Sequence, residues 1–154
     1  MKLLRPTLLL LSVLALPPLH AAEPPHHHDH APAQLTLDNG KKWASDAPLR
    51  QHMENLRAAY AKQVPAIHKG SQSTVGYKTL GEKTETEVTA IVAECKLDPK
   101  ADAVLHLIIA DMLAGADIMT GKAPGKPAAG AHRVVTALNQ YGQYFEHSGW
   151  QPLD

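Results

Sequence analysis

Apolar residues recur with a period near 3.6 along most of the chain from residue 46 onward. Leu49, Met53, Leu56, Tyr60, Val64 and Ile67 fall on one stripe, in a segment opened by Asp46 and Pro48 and closed by Gly70. Asp46 suits an N-cap and Pro48 a first helical turn, while Pro65 predicts a kink near the end. A second segment, from about Thr74 to Lys96, carries Tyr77, Leu80, Thr84, Val88, Ile91 and Cys95 on one face. Gly76 and Gly81 weaken its start. Asp98 and Pro99 then open a third segment, with Ala101, Leu105, Ile108, Met112, Ala116 and Met119 in register. Residues 121–127 read as a loop rich in Gly, Lys and Pro. A fourth stripe of Ala131, Val134, Leu138, Tyr141 and Phe145 stops at Gly149.

Four amphipathic segments of about 20 residues with short loops predict an all-α protein, an antiparallel up-down-up-down four-helix bundle over residues 46–154. A three-helix core with a loose second segment is the alternative. Residues 35–45 contain an Asp-Asn-Gly turn signal and Trp43, and read as an ordered lead-in lying on the domain.

The first 34 residues have another character. Lys2 and Arg5 precede an apolar run over residues 8–16, and small residues at Ala21 and Ala22 offer a cleavage site. Residues 1–22 therefore read as a secretory signal peptide, and the mature protein as periplasmic. Residues 23–34 hold Pro, His and Ala with little apolar mass, and read as a disordered tail. After the signal, no apolar run is read as approaching the roughly 20 residues that span a bilayer.

Charge changes the picture by exclusion. The 154 residues carry 15 basic and 15 acidic side chains. A nucleic-acid partner, which needs a basic face, is not expected. A single cysteine, Cys95, leaves no internal disulfide, and the absence of C-x-x-C-H excludes covalent c-type haem. The helical segments hold no G-x-S-x-G, H-E-x-x-H or Glu-x-x-His signature, so no enzyme activity is expected.

The candidate chemistry is metal ligation. His26, His27, His28 and His30 lie within five residues, interrupted by Asp29. Neutral imidazole suits copper and zinc, and a His-rich tract is a compositional signal for them. A solvated linker that happens to be His-rich is the bland alternative. Within the bundle, the antiparallel order collects His52, Met53, Cys95, His106, Phe145, His147, Trp43 and Trp150 at one end, with His68, Met119 and His132 at the other. Met53 and Cys95 on core stripes read first as packing residues. They also offer a soft site for Cu(I), completed by His52 or His147.

Two resemblances follow from particular stretches. LTLDNGKKWASDAPLRQHMENLR, IVAECKLDPKADAVLHLIIADMLAGADIM and YGQYFEHSGWQPL together resemble a group of small exported proteobacterial proteins often labelled DnrO-like. That likeness covers most of residues 35–153 and implies no activity. HMENL and YFEHSGW are similar in placement to the axial-ligand segments of soluble four-helix b-type cytochromes. This second resemblance implies non-covalent haem b held by Met53 and His147. On a continuous helix, however, His147 would lie about 200° round from Phe145, off the apolar face. The expectation is thus an exported metal-binding bundle. A haem electron carrier and a ligand-free structural or partner-binding protein are the other two classes, and no particular protein partner is indicated.

Overall fold

A computed structural model describes residues 34–154. Residues 1–33, which hold the expected signal peptide and all but the last residue of the expected histidine tail, lie outside the described residues. Within them the protein is all-α, with five helices and no strand longer than an isolated bridge.

Helix α1 (Ala47–Ala61) starts where Asp46 accepts from the Leu49 N–H at 2.9 Å, with Pro48 in its first turn. It buries Leu49, Met53, Leu56 and Tyr60. The sequence predicts one kinked helix to Gly70, but the chain breaks earlier. Lys62 and Gln63 form a turn, and α2 (Val64–His68) restarts with Pro65 in its own first turn. Pro65 has no N–H to continue α1, so the helix ends ahead of it rather than bending through it.

Helix α3 (Thr74–Glu94) is capped by the Ser73 hydroxyl, which accepts from Gly76 N–H at 3.0 Å. Helix α4 (Pro99–Thr120) begins at Asp98 and ends at Gly121, whose φ of 81° suits the left-handed cap. Helix α5 (Pro127–Tyr144) ends five residues before Gly149, the predicted stop. The cause is the lead-in. Trp43 N–H donates to the Tyr144 carbonyl at 2.8 Å, and Glu146 N–H donates to the Trp43 carbonyl at 2.8 Å. Backbone groups that would have extended α5 are used by this short bridge instead.

Helix α1 packs on α3 and α5, α3 on α4, and α4 on α5. The α4–α5 crossing is close because two glycines face one another. A Cβ on Gly115 would fall 2.6 Å from the Gly130 carbonyl, and one on Gly130 would fall 2.5 Å from that of Gly115. At the other end of the same interface Phe145 and Tyr141 are fully buried. After α5 the chain doubles back. Asn139 accepts from Leu153 N–H at 2.8 Å and donates to its carbonyl at 2.7 Å, mimicking a strand partner.

Helix α4 is, by length and composition, apolar enough to cross a membrane. Asp102, Asp111 and Asp117 interrupt its apolar run. Its buried residues, including Leu105, Ile108 and Met112, form the middle of the core.

Candidate functional site

The five histidines of the described residues occupy three different settings. His52 lies on α1, mostly buried, between two carboxylates of α3. Its Nδ1 is 2.6 Å from a Glu87 oxygen and its Nε2 is 3.3 Å from Glu94. Glu87 is itself buried, and also accepts from Asn55 at 3.2 Å and from Lys83. Burial pulls the His52 imidazole down, yet the hydrogen bonds and charges of Glu87 and Glu94 outweigh it, so its pKa stands above the ordinary 6.5. Burial raises Glu87, while Lys83, His52 and Asn55 together hold it below the ordinary range. The cluster is a closed network that joins α1 to α3, with every charge opposed by another. Its carboxylates sit on opposite edges of the ring, so they do not converge with it on one point.

His147 follows the end of α5 and lies at the other junction, between α5 and α1. Its Nδ1 is 3.0 Å from the Tyr141 hydroxyl, and its ring packs on Trp150 with centroids 5.0 Å apart. The helical-wheel expectation that His147 points away fails because the residue is not helical. Burial, then the neighbouring Arg50 and Arg57, lower its pKa against the opposing pull of Glu54. A neutral imidazole results, flanked by cations, which is a poor place to add a metal ion. The shallow cavity that His147 lines is shared with Arg50, Glu146 and Ser148 rather than with Met53. Met53 itself is fully buried among the core side chains.

Cys95, expected on the core stripe, stands at the C-cap of α3, where it is partly buried and packed against the core. Burial and the adjacent Asp46 carboxylate push its thiol up to about 12. Asp46 is committed twice over, capping α1 and accepting from Lys96 N–H at 2.6 Å. A thiol held protonated in this way is a weak ligand, since metals bind the thiolate. The four candidates for the soft site have separate settings: His52 between Glu87 and Glu94, Met53 in the core, Cys95 beside Asp46 and His147 against Tyr141. Among the described residues, no group of three or more His, Cys, Asp or Glu side chains is placed to hold a metal.

The remaining three histidines are exposed. His106 on α4 turns back to its own helix, with Nδ1 2.9 Å from the Asp102 carbonyl. His68 of α2 and His132 of α5 face each other across a helix junction, with ring centroids 5.5 Å apart and planes 11° from parallel. The sequence placed both at one end of the bundle but gave no signal that they meet. Comparison with family models, with curated proteins and with solved structures finds no match for this chain.

Proposed function

We propose that the protein is an exported, non-enzymatic metal-binding protein that takes copper or zinc through His26, His27, His28 and His30. The observation that carries the reading is the sequence itself: four imidazoles and Asp29 within five residues, directly behind a signal-like segment. Imidazoles so close in sequence can converge on one ion once deprotonated, which makes binding pH-dependent. The helical domain supports the reading indirectly. Its own His52, Cys95 and His147 are engaged with Glu87, Asp46 and Tyr141, so the groups nearest its core are not offered to a ligand.

The same proposal takes the four long helices as an antiparallel up-down-up-down bundle. His52 of α1 meets Glu87 and Glu94 of α3, while Tyr60, a little over two turns later, meets Thr84. Asp111 of α4 pairs with Arg133 of α5, and Gly115 opposes Gly130. Each pairing runs in opposite senses along the two helices. Kinship with the DnrO-like exported group belongs to this proposal and adds no activity to it.

Calorimetric titration of Zn(II) and Cu(II) into the mature chain, with and without residues 23–34, tests the function. Loss of the tail should remove the tightest binding at neutral pH while helicity is retained. Equal affinity in both forms would end the tail reading.

A further inference from the structure

We propose that His68 and His132 form a second metal site, on the surface of the folded domain, which holds a divalent transition ion such as Zn(II) or Cu(II) between α2 and α5. Its protein ligands are residues of the helical domain alone.

Four observations converge on this pair. The rings come from different helices, so their separation is set by the fold and not by a flexible segment. The centroid distance is 5.5 Å. Two imidazoles sharing one tetrahedral ion, each nitrogen about 2.1 Å from it, place their centroids about 5 Å apart. The rings lie face to face with planes 11° from parallel, so each must turn about its side-chain torsions to aim a nitrogen edge-on at a shared ion, a change of rotamer that an exposed side chain makes cheaply.

The third observation is one of contrast. Among the described residues, His52, His106 and His147 each have a ring nitrogen within hydrogen-bonding distance of a carboxylate, carbonyl or hydroxyl. No such partner is found there for His68 or His132. Both rings keep their nitrogen lone pairs for solvent or for a ligand. The fourth is electrostatic. Of the two cations next to these histidines in sequence, Arg133 is paired with Asp111 at 2.6 Å, so its charge is already opposed, while Lys69 adjoins His68.

The chemistry is that of a two-nitrogen chelate completed by water. Imidazole favours Cu(II) over Zn(II) in the usual order of divalent stability, and a calcium or magnesium ion, which seeks oxygen, is not expected to bind. Both imidazoles must be neutral to ligate, so the ion and protons compete for the same nitrogens. An ion here would also tie the short α2 to α5, across a junction where α2 has few partners of its own.

The test uses the full mature chain with His26, His27, His28 and His30 all changed to Asn, so that the tail is silent. Zn(II) alone is titrated by calorimetry, and Cu(II) alone is followed by electron paramagnetic resonance, which reports nitrogen ligation. The tail-silenced chain should retain one equivalent of ion with a two-nitrogen signature. Adding either His68→Asn or His132→Asn should weaken that binding by about tenfold or more. Both positions are exposed, so the circular dichroism spectrum should not change. No binding by the tail-silenced chain, or binding that survives both substitutions, would overturn the site. The wild-type chain tells the two readings apart: if it binds no more ion than the tail-silenced chain does, the tail reading fails and the His68–His132 site stands.

Discussion

Single residues decide how the ends of this domain are finished, and Asp46 is the clearest case. One carboxylate oxygen caps α1 and the other accepts from the backbone beyond α3, with Cys95 beside it. The cap was legible in sequence, because Asp before Ala-Pro-Leu is a helix start. The second bond and the thiol's setting were not, since they join residues about 50 positions apart. The thiol, held up to about 12, should react slowly with maleimide at pH near 8 and quickly after denaturation. Asp46→Ala should speed native labelling, because it removes the nearest negative charge. It should also cost about 1–2 kcal/mol by urea unfolding, as a lost cap does. Unchanged labelling in Asp46→Ala would show that burial alone sets the thiol. Trp150 gives a second residue-scale expectation. A Cβ on Gly142 would lie 2.3 Å from the Trp150 ring, so Gly142→Ala must displace it from Tyr141 and from Arg57. A red-shifted tryptophan emission with little loss of helicity is the expected readout.

Among the elements, the helices were easier to read than their ends. The stripes of α1, α3, α4 and α5 reappear nearly intact among the buried residues. Periodicity records which face is buried, and that is a local property of sequence. Where a helix stops depends on what else claims its last carbonyls. α5 stops at Tyr144 because Trp43, about 100 residues earlier, arrives there. α1 stops at Ala61 because a proline four residues on has no N–H to give it. Helix contact is also set by residues with no apolar signature. Gly115 and Gly130 look like propensity defects in sequence, yet they are what lets α4 and α5 approach. Gly130→Ala should therefore destabilise the fold by about 1–3 kcal/mol, as overpacking does, although alanine is the better helix former. A gain in melting temperature would mean that the two helices part at no cost.

Over the whole molecule, polar groups between helices make stability depend on pH, with a sign that differs between His52 and His147. Neither setting was legible in sequence, since His52 meets Glu87 and Glu94 of α3 and His147, beyond the end of α5, lies near Arg50, Glu54 and Arg57 of α1. His52 is raised above 6.5 by Glu87 and Glu94. Its contribution is fully present below pH 6.5 and is lost as pH rises through the higher folded value. Glu87 is held below its ordinary 4.5, so its contribution is present above 4.5 and lost as pH falls through the lower folded value. The clasp between α1 and α3 is thus complete between about pH 4.5 and 6.5. His147 acts against it. Its pKa is lowered, so below 6.5 the unfolded chain takes a proton that the folded chain refuses, and stability falls. In the wild type the two effects partly offset each other as the solution is acidified from neutrality. Variants separate them. His52→Gln should lose stability most at pH 5.5 and least at pH 8.5, whereas His147→Gln should make the protein gain on the wild type as pH drops below 6.5. Thermal melts across that range, read as differences from the wild type, provide the check. A His52→Gln deficit that is constant with pH would show that the ring packs between α1 and α3 without carrying charge there.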